Sequence, residues 1–338
     1  MAKIYNSITE LIGHTPIVEF HRLEKVLGLK GRIAGKLEYF NPAGSHKDRA
    51  ALEIIESAEK RGEISADKTT IVEFTSGNMG VGIASVAAAK GYKFKIGIQN
   101  GVSVERKKLM EAYNAQIAEP PKELVAGVFE KGIKAFDDVY AWFLQTTPNG
   151  WTSRQLSNPD NVAAHYKHTG PEIWEDTDGK VDVFVGGVGT GGSSHGIGKF
   201  LKEKNKNVKI VIAQPDKNDV ETPLVKGAED GGFHGIHAVY DENGLNAMAP
   251  ENFNQEVVDE YETITYSETL KAVHLLAHYE GIFVGASSGA ALAVAIKQAL
   301  KEENKGKLIV PLLPDNGERY LSEDLQSVRD DIESKVEF

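Results

Sequence analysis

The stretch Asn41-Pro42-Ala43-Gly44-Ser45-His46-Lys47-Asp48-Arg49 decides how the rest of the sequence is interpreted. Pro42 and Gly44 are typical of a turn, and Ser45 is a residue type that caps helix N-termini. Small and aliphatic residues then recur at spacings of three and four positions, which predicts an amphipathic helix that ends near Gly62.

Lys47 lies on the apolar side of this predicted helix. It precedes Ala50 and Ala51 by three and four residues, so its side chain projects toward the same face. One interpretation is a lysine in the first turn that extends its amine to water. The other is an amine that is needed neutral, to form an imine or to carry protons. Desolvation and a helix N-terminus both lower the pKa of a lysine. The helix pattern alone leaves both interpretations open.

Composition indicates a soluble globular protein of one or two domains. The chain has 338 residues, of which 41% are hydrophobic and 26% are charged. Its net charge of -11 argues against binding to nucleic acid or to anionic membranes. The sequence contains no cysteine, which excludes disulfides, thiolate metal sites and cysteine nucleophiles. We recognise neither a signal segment nor a membrane span, and therefore expect a cytoplasmic protein.

Predicted strands alternate with predicted helices along the chain. Buried strands are predicted at 70–74, 181–185 and 308–313, with helices at 123–143 and 321–335 among others. This alternation predicts an α/β fold built on parallel sheets.

Three junctions between a predicted strand and the next helix are rich in Gly, Ser and Thr. They cover residues 75–80, 186–194 and 285–289. Such junctions gather at the carboxyl edge of a parallel sheet, where α/β proteins bind ligands, and the N–H groups at a helix start bind anions. The polar groups of the first junction suit a carboxylate. The serines and threonines of the first and third junctions could equally serve only as helix caps.

The middle junction formally matches the G-x-G-x-x-G pattern of dinucleotide sites. Residues 187–192 carry the pattern, and Asp216 follows 24 residues later. The pattern falls in the middle of the chain rather than in a first βαβ unit, and the hydroxyls of Thr190 and Ser193 suit a terminal phosphate monoester. A nicotinamide-dependent oxidoreductase, a phosphate-bearing cofactor and a glycine turn without a ligand all remain open here.

Taken in order, the opening stretch and these junctions resemble the cysteine synthase family. This is the O-acetylserine sulfhydrylase branch of the fold type II pyridoxal-phosphate enzymes, which also include the cystathionine β-synthases. Besides the opening stretch, the motifs that carry the resemblance are Ile12-Gly13-His14-Thr15-Pro16, Thr75-Ser76-Gly77-Asn78, Thr169-Gly170-Pro171-Glu172-Ile173-Trp174, Gly189-Thr190-Gly191-Gly192, Gly285-Ala286-Ser287-Ser288-Gly289 and Pro314-Asp315-Asn316-Gly317-Glu318-Arg319-Tyr320. Each motif is weak alone, but together they span almost the whole chain in the family's order.

The resemblance implies a tryptophan synthase β-like architecture of two open, twisted α/β lobes with the cofactor between them. Residues 35–154 would form a smaller, mobile lobe that carries Lys47 and the loop for the substrate carboxylate. Residues 1–34 and 155–338 would form a larger lobe that carries the phosphate loop. A homodimer is the family expectation.

The resemblance also implies a role for each site residue. Lys47 would bind pyridoxal 5′-phosphate as an internal aldimine and then act as a general base. Asn78 would contact the ring O3′ oxygen, and Ser287 would meet the pyridine nitrogen. The cofactor phosphate would be held by Gly189, Thr190, Gly191, Gly192 and Ser193. The substrate α-carboxylate would be bound by Thr75, Ser76, Gly77 and Gln155. No metal site is expected.

The implied reaction is β-replacement on a small amino acid through an α-aminoacrylate. The leading candidate is cysteine synthesis from O-acetylserine and sulfide. The second substrate is then a small nucleophile, which in the family is sulfide. The alternatives are a cysteine desulfhydrase, a cystathionine β-synthase-like enzyme, or a catalytically inactive paralogue. A nicotinamide-dependent oxidoreductase is the alternative from another class.

Several positions depart from the family's pattern. His46 replaces a small apolar residue, Met79 stands where sulfhydrylases usually carry Thr, and Leu156 replaces a usual Phe. His237 falls within a run that is normally glycine-rich. Its imidazole could activate a nucleophile, narrow the entrance or be an ordinary loop histidine. We therefore count Met79 and His237 among the candidate substrate-binding residues, and the substrate itself stays open.

Overall fold

The computed structural model describes residues 4–75, 77–98, 103–216, 235–246, 248–322, 325 and 338. The strands in these ranges are β1 Ile17–Glu19, β2 Arg32–Leu37, β3 Thr70–Phe74, β4 Lys93–Gly97, β5 Gln116–Ala118, β6 Gly150–Thr152, β7 Val181–Gly187, β8 Lys209–Pro215, β9 Tyr240–Asp241, β10 Gly244–Leu245, β11 Glu260–Ile264 and β12 Leu308–Leu313. The α-helices are α1 His21–Leu27, α2 Lys47–Lys60, α3 Asn78–Lys90, α4 Val104–Ala112, α5 Lys122–Lys131, α6 Phe136–Thr146, α7 Pro159–Ala164, α8 Gly170–Asp176, α9 Gly192–Lys204, α10 Tyr266–Glu280 and α11 Ala286–Leu300.

Two largely parallel sheets form the frame. The larger sheet has the order β1-β2-β12-β7-β8-β11, and the smaller has the order β5-β4-β3-β6. All neighbouring strands in both sheets run parallel except β1 and β2. Strand β1 lies at the edge of the larger sheet. The chain turns back from it to β2 through the short helix α1, so the two strands are antiparallel. The predicted α/β fold with parallel sheets is confirmed.

The strand β12 and the helix α11 show why the larger sheet is rigid. Every residue of β12 is buried, since it lies between β2 and β7 with both faces covered. Helix α11 is rich in alanine and is buried along nearly its whole length, in an apolar cluster that also includes Ile309 and Leu313 of β12. The start of α11, which carries Ser287 and Ser288, is therefore held firmly at the edge of this sheet.

Helix α2 packs closely on α3, the helix that follows β3 of the smaller sheet. Its apolar residues Ala50, Ala51 and Ile54 share one buried cluster with residues of α3. A Cβ atom added to Gly82 of α3 would lie 3.0 Å from the carbonyl oxygen of Lys47. Glycine therefore permits the close approach that places the start of α2 beside the start of α3.

Some sequence-based boundaries differ from the structure. The helix predicted over 123–143 is wrong as a single element, because a 3-10 turn at Gly132–Ala135 separates α5 from α6 and glycine is a poor helix former. Helix α2 begins at Lys47, so the residue at its N-cap position is His46 rather than Ser45. Ser45 Oγ still accepts a hydrogen bond from Lys47 N at 3.2 Å. The terminal helix predicted over 321–335 lies almost wholly outside the described residues.

The predicted lobe boundary at residue 35 falls inside β2, which belongs to the larger sheet. The division into two lobes stays a prediction. Within the described ranges, no helix combines the length and the apolar character needed to cross a bilayer.

A buried ion pair fixes α2 to the larger sheet. Arg49 Nε and Nη2 donate to the Glu38 carboxylate at 2.8 and 2.9 Å, just beyond β2. The same guanidinium donates from Nη1 and Nη2 to the Glu172 carboxylate of α8 at 2.6 and 2.7 Å. Arg49 and Glu38 are both buried. One planar cation thus binds two carboxylates from different elements, each through two hydrogen bonds.

A second cation extends this network. Lys36 of β2, which is fully buried, lies 2.9 Å from the Glu172 carboxylate and donates to the Thr15 carbonyl at 2.6 Å. Burial works to raise the pKa of Glu172, but hydrogen bonds and charge from Arg49, with the charge of Lys36, lower that pKa to about 2. Glu172 is therefore ionised throughout the physiological range and pairs with both cations.

Replacing Arg49 tests how much this network contributes. We expect Arg49→Gln to lower the free energy of unfolding by about 3–5 kcal/mol, because it leaves the Glu38 carboxylate buried without its counter-ion. Urea unfolding at pH 7 measures the loss. The matched control is Arg61→Gln at the end of α2, whose side chain is 45% exposed and pairs with Glu63 at the surface. Its loss should be much smaller, and equal losses would contradict the assigned role of the network.

Candidate active site

The Lys47 amine contacts a loop of the larger sheet. Its Nζ atom donates to Thr190 Oγ1 at 3.3 Å, in the loop that joins β7 to α9. Burial lowers the pKa of Lys47 to about 8, and the nearby Asp315 carboxylate acts in the opposite direction. A neutral amine, which can act as a nucleophile or a base, is therefore accessible near physiological pH.

The glycines of the 187–192 loop are required by the protein's own packing. A Cβ atom on Gly189 would lie 2.5 Å from the Gly235 carbonyl oxygen, and one on Gly192 would lie 2.2 Å from Asn161 Oδ1. Gly191 has φ +80° and its Cβ position lies 2.8 Å from Phe253. The loop is thus held tightly from several sides, independently of any ligand.

Thr190 still has a hydrogen-bond donor to offer. Its Oγ1 atom accepts hydrogen bonds from Lys47 Nζ and, at 2.9 Å, from Asn161 Nδ2. A hydroxyl has two acceptor positions and one proton, so with both acceptor positions used the proton is left for another group. Ser193 follows in the first turn of α9, where backbone N–H groups have no partner within the helix. This donor set suits an anionic phosphate.

Asn78 is held at both ends of its side-chain amide. Its Nδ2 atom donates to Asp315 Oδ2 at 2.6 Å, and its Oδ1 atom accepts from Arg319 Nη1 at 2.9 Å. The Tyr320 hydroxyl also donates to Asp315 Oδ2. Sequence reasoning assigned no role to Asp315 or Arg319, although both lie in the motif at 314–320. Only the match of that motif to the family could have drawn attention to them.

The segment 235–237 lies against both the 187–192 loop and Ser287. The Gly235 carbonyl approaches Gly189, and a Cβ atom on Gly235 would lie 3.4 Å from Ser287 Oγ. His237 N donates to the Val188 carbonyl at 2.8 Å, and the His237 side chain is half-buried. This hydrogen bond places the backbone of His237 beside the glycine loop, while the role of its side chain at the site entrance stays a prediction.

The residues predicted to bind a carboxylate surround the end of β3. Thr75 is buried and its Oγ1 accepts from Gly77 N at 3.2 Å. Gln155 is also buried, and its carbonyl accepts from Asn161 Nδ2 at 2.9 Å and Asn252 Nδ2 at 2.8 Å. Asn161 thereby links the backbone of Gln155 to Thr190. Ser76, the remaining candidate, lies outside the described residues.

Met79 of α3 is buried in the core. Its side chain is only 1% exposed and packs in the apolar cluster between α2 and α3. It sits one residue after Asn78, so the two side chains point in different directions from α3. Met79 therefore supports the helix that carries Asn78, and its role in substrate binding stays a prediction.

Two buried histidines pack behind Lys47. The rings of His46 and His165 have centroids 5.7 Å apart. His165 begins a π-helical turn, His165–Thr169, and its Nδ1 is 2.9 Å from Thr169 Oγ1. Burial, together with the charge of Lys47, holds the pKa of both histidines well below 6.5. Both rings are neutral near pH 7, so they do not add charge beside the lysine.

Comparison with known proteins assigns the class. The α/β fold, together with the Lys47 amine beside the N-terminus of α9, where a phosphate could bind, indicates a cofactor-dependent enzyme. The family model described as "Pyridoxal-phosphate dependent enzyme" matches residues 8–315. The chain belongs to this family. Its residues fit the cofactor, since they provide an accessible neutral amine, the spare proton of Thr190 and a helix N-terminus for a phosphate.

Relatives of nearly full length are known. "Cysteine synthase" of Staphylococcus aureus is 39% identical over 331 residues, which cover 97% of this chain and 99% of the relative. "Cysteine synthase 3" of Caenorhabditis elegans is 38% identical over 319 residues, covering 94% and 89%. The solved cysteine synthase of Entamoeba histolytica aligns with a TM-score of 0.82 at 37% identity, covering 97% of this chain and 92% of that one.

The buried histidine pair predicts a pH dependence of stability. The pKa of His46 is lower in the folded than in the unfolded chain, so the unfolded chain takes up the proton first as pH falls below about 6.5. Stability is therefore lost on acidification. We expect His46→Val to remove up to about 1.4 kcal/mol of this loss per pH unit.

Urea unfolding of both proteins from pH 7.5 to 5.5 measures the difference. As pH falls, the free energy of unfolding should decrease less steeply for His46→Val than for the wild type. His21→Gln is the control, since that side chain is 73% exposed. Parallel pH curves for the wild type and His46→Val would show that His46 is not held neutral in the fold.

Proposed function

We propose that this protein catalyses β-replacement on a small amino acid, with cysteine formation from O-acetylserine and sulfide as its reaction. The observation that carries the proposal is the Lys47 amine at Thr190, at the N-terminus of α9, in a chain that matches cysteine synthases over nearly their full length. Two solved structures of Entamoeba histolytica, a cysteine synthase and an O-acetyl serine sulfhydrylase, both align with TM-scores of 0.82.

The residues that would hold the cofactor follow from the resemblance and the geometry. Lys47 would bind it covalently, Asn78 and Ser287 would meet the ring, and the phosphate would lie at residues 189–193. Ser287 would offer a neutral hydroxyl to the ring nitrogen, where a carboxylate would keep that nitrogen protonated. When bound, pyridoxal phosphate supplies an electron sink that makes the Cα proton of an amino acid acidic.

Proton transfer is the task of Lys47. With a pKa of about 8, its amine can accept the Cα proton near neutral pH. The buried Asp315 carboxylate stabilises the ammonium that results, because it raises the pKa of Lys47 against the effect of burial. Thr75, Gly77 and Gln155, with Ser76, would bind the substrate carboxylate and fix Cα near this amine.

A second reaction, sulfide release from cysteine, is favoured by one structural relative. A hydrogen sulfide-producing enzyme from Fusobacterium nucleatum aligns with a TM-score of 0.76 at 33% identity, covering 94% of this chain and all of that one. His46 and His237 both depart from the pattern of sulfhydrylases and lie near Lys47 and the glycine loop. Sulfide release would use the same residues, with cysteine in place of O-acetylserine.

We also infer a cytoplasmic homodimer. The resemblance to the family supports the dimer, and the composition supports the location. Sedimentation of the purified protein tests the dimer.

Replacing Lys47 tests the function. The wild type should absorb at about 410 nm as a pyridoxal-phosphate protein, and Lys47→Ala should lose this band. Turnover of O-acetylserine and sulfide to cysteine should fall by about 10²–10⁴-fold, the usual contribution of a general base. Lys60→Ala, an exposed lysine of the same helix, is the control and should match the wild type.

Two outcomes would decide against the proposal. A colourless wild type that binds NAD would favour the oxidoreductase interpretation of the glycine loop. Sulfide release from cysteine without cysteine formation from O-acetylserine would favour the second reaction.

A further inference from the structure

The side-chain amide of Asn78 lies between two opposite charges. Its oxygen accepts from the Arg319 guanidinium at 2.9 Å, and its nitrogen donates to the Asp315 carboxylate at 2.6 Å. Arg319 and Asp315 are both buried, so these charge-assisted hydrogen bonds are strong.

The two charges permit only one orientation of the amide. If the amide rotated by half a turn, its NH₂ group would face the guanidinium and its oxygen would face the carboxylate. Both contacts would then be repulsive. Asp315 takes one of the two amide protons, and among the described residues no other hydrogen bond of Nδ2 is found. The second N–H is therefore available to a ligand.

The charged pair is itself held in place by the surrounding structure. The Tyr320 hydroxyl donates to Asp315, and the Arg106 guanidinium stacks on the Tyr320 ring at 4.9 Å. Arg319 Nη2 donates to the Ala43 carbonyl, in the turn before Lys47. A Cβ atom on Gly44 would lie 2.5 Å from Arg319 Nη2, and Gly44 has φ +81°, so only glycine leaves room for this guanidinium.

We propose that Asp315 and Arg319 are positioning residues that orient the Asn78 amide, so that an N–H group rather than a carbonyl is presented to a ligand beside Lys47. An electron-rich oxygen, such as the ring oxygen of pyridoxal phosphate, is the chemistry that this N–H fits. A reversed amide would present its own oxygen and repel such an atom. The inference rests on the proposed function, since it takes that cofactor as the ligand.

A double-mutant cycle on cofactor affinity tests the inference. The dissociation constant of pyridoxal phosphate is measured by equilibrium dialysis for the parent, Asn78→Ala, Asp315→Ala and the double variant. The cycle is run in the wild-type and in the Lys47→Ala background, because the charge of Asp315 also acts on Lys47. Circular dichroism verifies folding, and a second cycle with Arg319→Met replaces the first if Asp315→Ala does not fold.

We expect each single variant to bind the cofactor about tenfold more weakly, the usual effect of losing one hydrogen bond to a charged site. In the Lys47→Ala background, the double variant should be no weaker than Asn78→Ala alone, because Asp315 acts through Asn78. Glu318→Gln removes a negative charge from an exposed position of the same segment and should leave the affinity unchanged.

The outcomes separate this inference from the proposed function. Multiplicative losses in the double variant, or unchanged affinity in Asp315→Ala, would overturn the positioning role while leaving the function intact. A wild type that does not bind pyridoxal phosphate would overturn both.

Discussion

The Arg49 ion pair is the constraint on which the site depends. Arg49 lies two residues after Lys47 on α2, and its guanidinium binds Glu38 beside β2 and Glu172 on α8. The position of the Lys47 amine relative to Thr190 is therefore set by buried charges that join α2 to the larger sheet. Because Arg49 pairs with both carboxylates, its loss would leave the buried Glu38 carboxylate without a counter-ion.

The same constraint explains three of the motifs that carry the family resemblance. Gly13 N donates to Asn41 Oδ1 at 2.8 Å, and His14 N donates to Glu172 at 3.0 Å. The motifs at 12–16, 41–49 and 169–174 thus meet around one network. In this way the network surrounds Lys47, which belongs to the motif at 41–49, while the motifs at 75–78, 189–192 and 285–289 hold the other residues predicted to contact a ligand.

Local patterns predicted the elements well and the long-range contacts poorly. The strands at 70–74 and 308–313 follow from apolar runs, and the position of Lys47 follows from helical spacing. The clamp on Asn78 joins residues more than 230 positions apart, so no periodicity indicates it. The burial of Met79 in the core was not indicated by its position next to Asn78 in the sequence. For the glycine loop, the pattern alone left the reason for the glycines open, and the structure shows that atoms of the protein itself approach Gly189, Gly191 and Gly192 closely.

The central position of β12 has a consequence for how the chain is made. This strand is the last of the larger sheet in sequence, yet it lies between β2 and β7. During synthesis from the N-terminus, the larger sheet therefore keeps a gap at its centre until residues 308–313 have emerged. The segment that follows, with Asp315 and Arg319, then completes the surroundings of Lys47. The smaller sheet, whose strands all lie before residue 153, can form much earlier. In nascent chains the smaller sheet can thus form first, whereas the larger sheet and the surroundings of Lys47 are completed only after residues 308–319 have emerged.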